Sequence, residues 1–244
     1  MLSDAEKKLY SRQIMMIGEE GQERLKKSRA VVAGCGGLGS PIINYLAVAG
    51  VGHIRIIDMD SVELSNLNRQ ILHWHYDMGK KKVCSAGEKL KDINPFITIE
   101  TIGDRITDDN AKELLGDADV IIDALDNYDT RFLLNRIAVE NNIALIHGAV
   151  HGIHGQMTTI LPGKTPCIQC IFKRKPPKEL FPIIGTTAGV VGTMQANEAI
   201  KYLLGEEDLY TGRMVVWDGK SGTTEELKIS RNPSCEICWS CSEK

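Results

Sequence analysis

The chain has 244 residues, 43% hydrophobic and 25% charged, with a formal net charge of −3. That length buries a full core as one large domain or one domain with an appendage. The charge gives no global basic field for nucleic acid, no apolar run is long enough to span a membrane, and the polar N-terminus lacks the apolar core of a signal peptide, so the expected location is cytoplasmic.

Residues 4–27 read as helix, with Leu9, Ile14 and Leu25 among many charges. A short buried strand at 29–33 runs into the turn Gly34-Cys35-Gly36-Gly37-Leu38-Gly39. A helix follows at 40–49, with Pro41 tolerated in its first turn, and a second strand at 53–58 ends on Asp58. This is a βαβ unit with a G-x-G-x-x-G turn, which offers backbone N–H groups to phosphate oxygens at a helix N-terminus. The turn alone serves NAD, FAD, SAM and ATP enzymes alike. Asp58 is spaced to accept hydrogen bonds from a ribose diol.

The next segment discriminates more. Ser65-Asn66-Leu67-Asn68-Arg69-Gln70 follows the second strand directly, where a dehydrogenase has no use for an Asn/Arg cluster. Asn66 and Arg69 are one helical turn apart, and an amide donor beside a guanidinium fork suits phosphate. Residues 80–93 form an amphipathic helix with Val83, Ala86, Leu90 and Ile93 on one face. Lys82 opens that helix, an unfavourable place for an ammonium that a nearby polyphosphate would relieve.

Strands at 97–102, 119–123 and 143–149 alternate with helices at 108–115 and 129–141. The expected fold is α/β and Rossmann-like: a mostly parallel sheet with helices on both faces. Asp123-Ala124-Leu125-Asp126-Asn127 ends a strand at its carboxyl edge, where ligands bind in such sheets. Asp126 is a candidate Mg2+ ligand, and Asp129 is the expected cap of the following helix.

After Gly148 the rhythm changes. Strands at 156–161, 214–217 and 223–229 extend the sheet in antiparallel fashion, with a Pro/Lys-rich loop at 172–182 and a helix at 189–204. The expectation is a single domain, with a nucleotide-binding half at 1–150 and a zinc-braced substrate-binding half at 151–244. Of the seven cysteines, four form the CxxC pairs Cys167/Cys170 and Cys235/Cys238. In a cytoplasmic chain that spacing reads as metal ligation, and four thiolates suit a closed, structural zinc site. Cys241 makes a second, overlapping CxxC with Cys238, so the choice among the C-terminal thiols stays open. Cys35 and Cys84 fit no ligand pattern and read as core or loop residues. His147, His151 and His154 read as strand-end or substrate-loop histidines sooner than as a metal site.

Tyr10-Ser11-Arg12-Gln13-Ile14, Gly34 to Gly39, Asp58 through Gln70, Gly79 to Lys82, Asp126-Asn127, both CxxC pairs and Gly192-Thr193-Met194-Gln195-Ala196 stand in one order along the chain. Together they resemble the ThiF/MoeB/HesA family of ubiquitin-activating-enzyme-like adenylyltransferases, over nearly the whole chain. The resemblance implies a homodimer in which Arg12 reaches into the partner's ATP site. It implies that Asn66, Arg69 and Lys82 hold the triphosphate, Asp58 the ribose and Asp126 the magnesium. Gly34, Gly36, Gly37, Gly39, Asp60, Ser65 and Asn127 would complete the nucleotide site. The implied substrate is the C-terminal glycine carboxylate of a ubiquitin-like sulfur-carrier protein ending in Gly-Gly, converted to an acyl-adenylate on the way to molybdopterin, thiamine or thiolated tRNA. ATP, Mg2+ and structural Zn2+ are the expected cofactors, with no membrane or direct nucleic-acid partner.

One departure bears on mechanism. Many members carry a cysteine between the first zinc pair and the following helix, and that thiol links covalently to the carrier. Residues 173–187 contain none. Adenylation without a covalent thioester or acyl-disulfide is therefore expected. The same site would also suit a small-molecule or RNA-attached carboxylate. A non-adenylating Rossmann nucleotide-binding module is the reading from another class, and Asn66, Arg69 and Lys82 argue against it.

Overall fold

Short runs rich in valine and isoleucine make the centre of the sheet. Arg29–Ala33 (β1) and His53–Ile57 (β2) each bury their last four residues, and Val120–Asp123 (β4) is buried throughout. Such continuous burial is what a parallel sheet covered on both faces requires. Thr98–Ile102 (β3), Ala144–His151 (β5), His154–Ile160 (β6), Arg213–Asp218 (β7) and Thr223–Lys228 (β8) complete it. The computed structural model describes residues 1–172 and 182–238. The basic side chains of Lys173, Arg174, Lys175 and Lys178, and the thiol of Cys241, lie outside the described residues.

The strand order is β3-β2-β1-β4-β5-β6-β7-β8. β3, β2, β1, β4 and β5 run parallel, and β6, β7 and β8 continue the sheet antiparallel. The chain leaves β1 toward one edge and returns to β4 on the other side. That reversal opens a crevice at the carboxyl ends of the strands, the usual ligand position in open α/β sheets.

Helices cover both faces. Ser11–Lys27 (α2), Gly39–Ala49 (α3), Lys82–Ile93 (α4) and Gly185–Leu204 (α8) place Leu25, Leu46, Leu90 and Val191 in one apolar cluster. Ala111–Leu115 (α5), Tyr128–Glu140 (α6) and Ile168–Ile171 (α7) place Leu115, Leu134 and Ile168 in the other. Among the described residues no helix is long and apolar enough to cross a membrane.

The expected single helix at 4–27 is two. Asp4–Leu9 (α1) starts on a capping box, in which the Ser3 hydroxyl accepts the Glu6 N–H and the Glu6 carboxylate accepts the Ser3 N–H. The chain breaks at Tyr10, whose ring is buried and whose hydroxyl accepts the Asn94 amide at 2.8 Å. Gly18 then kinks α2 with φ 72° and ψ 171°. The cap of α6 is also corrected: Asn127, not Asp129, is the N-cap, its Oδ1 accepting the Thr130 N–H at 3.0 Å. The one-turn α7 was not anticipated, because four residues are too few to show a period.

Candidate functional site

The glycine turn leaves β1 at the crevice. Gly34 adopts φ 105°, in the left-handed region. A Cβ on Gly34 would come within 2.6 Å of the Ala124 carbonyl oxygen, and one on Gly39 would overlap the Gly34 carbonyl. The turn is thus pressed against the β4–α6 connection. Its Cys35 N–H donates to Asp58 Oδ2 at 2.7 Å, and Asp58 Oδ1 accepts the Asp60 N–H at 2.9 Å. No side chain caps α3. Among the described residues the N–H groups of Gly36 and Gly37 have no acceptor. Those donors, at the positive end of a helix, make an anion cradle.

The basic residues converge on the same place. A Cβ on Gly37 would lie 3.5 Å from Arg69 Cγ. Arg69 folds back, donating to the Ser65 carbonyl at 2.8 Å and to Asn68 Oδ1 at 2.9 Å. Asn66 is not on a regular helix. It ends the 3-10 turn Leu64–Asn66, is buried, and accepts the Glu63 N–H at 3.1 Å. Ser65 is exposed beside it. Lys82 is the first residue of α4, and Asp60 supplies the anion there: Nζ lies 2.9 Å from Asp60 Oδ2, with Lys82 7% and Asp60 55% exposed. The dipole conflict expected at Lys82 is therefore met within the chain.

Two groups against the turn have no room for nucleophilic work. Cys35 is fully buried, and burial together with the Asp58 charge pushes its thiol well up. His73 donates through Nε2 to the Cys35 carbonyl at 2.9 Å and takes the Ser85 hydroxyl at Nδ1, also 2.9 Å. Burial lowers its pKa, so the ring is neutral. This Ser–His contact sits inside the core, with Ser85 fully buried and His73 nearly so. Gln70, buried, points its amide toward Gly36, and its Oε1 has no partner among the described residues. Sequence reading assigned Gln70 and His73 no role, although Gln70 closes the Asn-Leu-Asn-Arg-Gln run.

On the other side of the crevice Asp126 is exposed in the β4–α6 connection, next to the capping residue Asn127. Its carboxylate is a hard oxygen donor of the kind Mg2+ takes. The three histidines do not gather. His147 is fully buried on β5, while His151 and His154 are exposed at the β5–β6 hairpin, His154 lying 3.5 Å from Asp218. Among the described residues the cysteine quartet is the group with metal-binding geometry.

In that quartet the sulfur atoms of Cys167, Cys170, Cys235 and Cys238 all lie within 4.8 Å of one another. Cys167 is 3.9 Å from Cys170 and 3.6 Å from Cys235, and Cys170 is 3.4 Å from Cys238. Disulfides are far shorter, at about 2.05 Å. A tetrahedron with Zn–S of about 2.3 Å has edges of about 3.8 Å, so a zinc ion fits. The Asn232 N–H also donates to Cys170 Sγ at 3.4 Å. The cluster ties α7 to the end of the described chain. Cys84, by contrast, is exposed and not part of the quartet.

Among the residues expected at the nucleotide, Arg12 is the one set toward the far end of α3 from the glycine turn. It is exposed in the first turn of α2. Its neighbour Gln13 donates to the Ala49 carbonyl at 2.7 Å, at the end of α3 remote from the glycine turn. An 11-residue helix spans about 16 Å.

The sequence model of the ThiF family matches residues 10–237. The SAMP-activating enzyme E1 of Haloferax volcanii is 41% identical over 237 residues, covering 94% of this chain and 87% of that protein. The sulfur carrier protein adenylyltransferase of Thermus thermophilus is 38% identical over 242 residues, covering 94% of this chain and 89% of that protein. The adenylyltransferase and sulfurtransferase MOCS3 of Culex quinquefasciatus is 40% identical over 238 residues, and this chain spans about half its length, 54%. Among solved structures, E. coli MccB with MccA-N7isoASN superposes with a TM-score of 0.86 at 24% identity, over 98% of this chain and 75% of that one. That likeness speaks to the fold.

Proposed function

The chain belongs to the ThiF family, and we propose that it is an ATP-dependent adenylyltransferase that activates the C-terminal glycine carboxylate of a ubiquitin-like sulfur-carrier protein as an acyl-adenylate. The observation that carries the reading is the convergence, at one crevice, of the uncapped glycine turn, Asp58, Arg69 and Lys82 beside the exposed Asp126. Relatives whose names specify a SAMP or a sulfur carrier support the choice of acceptor.

The chemistry is in-line attack of a carboxylate oxygen on the α-phosphorus of ATP, with pyrophosphate leaving. A carboxylate is already ionised at neutral pH, so no base is needed. The barrier is one of bringing anions together and holding them in line. Backbone N–H groups of Gly36 and Gly37 take phosphate oxygens. Each Asp58 oxygen accepts one internal N–H, which leaves lone pairs for the ribose hydroxyls. Arg69 and Lys82 neutralise charge growing on the phosphates, with Asn66 and Ser65 fixing the turn that carries Arg69. Asp60 releases Lys82 cheaply because Asp60 is more than half exposed. Magnesium held by Asp126 would supply further charge neutralisation at the phosphates. Arg12 acts from the second copy in a homodimer, and the cysteine quartet holds a structural zinc.

The test is exchange of labelled pyrophosphate into ATP. Exchange that requires a carrier ending in Gly-Gly, and fails with that carrier lacking its last glycine, is the expected result. Exchange driven equally well by free small carboxylates would overturn the acceptor.

A further inference from the structure

Beside the crevice, the carboxyl end of β4 carries a buried ionic unit that the mechanism above does not use. Asp123 is fully buried. Its Oδ2 accepts Nε of Arg131 and Nδ1 of His147, both at 2.7 Å, and its Oδ1 accepts the Leu125 N–H at 3.1 Å. The remaining arm of Arg131 donates to the carbonyls of Leu125 at 2.6 Å and Gly148 at 3.2 Å. Gln195 from α8 donates to the Asp123 carbonyl at 2.8 Å.

His147 shows that this is more than core filling. With Asp123 accepting, its proton sits on Nδ1. Its Nε2 is buried with no partner among the described residues, and its ring lies 5.8 Å from that of Phe172. A buried orphan acceptor costs stability that a leucine would not. What the imidazole adds is the second side-chain donor to Asp123. The unit pins Leu125 through both its N–H and its carbonyl, and Asn127 is pinned two residues on by its own cap. Asp126, between them, has an exposed side chain on a backbone fixed at both sides.

We propose that Asp123, Arg131 and His147 are positioning residues that preset the Asp126 carboxylate for the divalent cation accompanying the nucleotide. The proposal rests on the reading of Asp126 given above. Arg131 suits the task because one planar fork reaches a carboxylate and two carbonyls at once, which a lysine cannot do. Groups that hold a metal ligand in place typically cost about 10–100-fold in metal affinity when removed.

The readout is the ratio of ATP affinity with Mg2+ to that without it, measured by calorimetry on the zinc-loaded 244-residue chain. His147→Leu is expected to lower the ratio about tenfold in a protein that circular dichroism shows to be folded, with a lowered melting temperature because the buried Asp123 carboxylate loses a donor. His147→Asn, whose amide nitrogen takes the place of Nδ1, should restore the ratio. Arg131→Lys, which keeps the charge and loses the fork, should lower it as His147→Leu does. In an Asp126→Ala background His147→Leu should change nothing further, since it acts through Asp126. A folded His147→Leu protein with the wild-type ratio overturns the proposal, as does a tenfold loss that persists without Asp126. ATP binding indifferent to Mg2+ in the wild type overturns it together with the metal assignment. Mg2+-coupled binding without carrier-dependent exchange sinks only the acceptor reading.

Discussion

Lys82 and Asp126 carry opposite charges at the same crevice, and their surroundings assign them different tasks. Lys82 is buried and already paired, so its charge is held in place for a stronger anion than Asp60. Asp126 is exposed, so its carboxylate is open to a cation. Asp126→Ala should lower carrier-dependent exchange about 100-fold, near 3 kcal/mol in the barrier, with circular dichroism unchanged. Exchange at the wild-type rate would remove the metal assignment. Cysteine makes the complementary prediction. Cys35 is buried with a thiol pushed up by burial, and Cys84 lies exposed on α4, outside the glycine turn. Cys35→Ala and Cys84→Ala should each retain exchange, and mass spectrometry of the unreduced reaction should show no carrier-sized adduct. An adduct that vanishes with reductant would restore a covalent step. Much of the crevice was legible in residue types: Gly34 to Gly39, Asp58, Arg69 and Lys82 do meet at one strand-end crevice. What was not legible is pairing across the fold. Nothing in sequence spacing says that Asp60 meets Lys82, that His73 lies under the Cys35 carbonyl, or that His147 joins Asp123 rather than His151.

At the scale of elements, the strands were read closely because their valine and isoleucine runs are bounded by glycine and by acids. β1 matches the reading residue for residue, and β4 begins one residue later than expected. The helical errors have local causes that periodicity misses. Tyr10 leaves the helix to bury its ring, and Asn127 outcompetes Asp129 as the cap because its Oδ1 reaches the Thr130 N–H. The cysteine quartet was readable as spacing, and the fold adds what it joins. The pairs Cys167–Cys235 and Cys170–Cys238 each bridge 68 positions. Closing a loop of that size constrains the unfolded chain by about 4 kcal/mol. At about 2–4 °C per kcal/mol for a domain of this size, stripping the metal should lower the melting temperature by roughly 8–16 °C. Elemental analysis should find one zinc per chain. Metal-free protein that melts where the native protein does would sink the zinc assignment.

At the scale of the whole molecule, the proposed reaction would draw Arg12 from a second copy of the chain. Arg12 lies toward the far end of α3, about 16 Å along the helix from the glycine turn. That placement is the reason to assign Arg12 to another copy's crevice and not to its own. Exposed Met15 and Met16 follow it on α2, an apolar surface that a partner copy would cover. A twofold axis there would make the exchange reciprocal, each copy lending Arg12 and receiving it. Arg12→Ala and Asp126→Ala should each lose about 100-fold in exchange when assayed alone. Mixed and re-equilibrated, they form a heterodimer with one crevice that has both intact groups and one that has neither. An equimolar mixture should therefore recover about a quarter of wild-type exchange, since half the dimers are mixed and each mixed dimer has one working site. Mass spectrometry of the mixture under native conditions counts the heterodimers independently. Heterodimers present at half abundance with no recovered exchange would mean that Arg12 serves its own chain or no site at all. Recovery without heterodimers would mean that the two groups belong to separable steps.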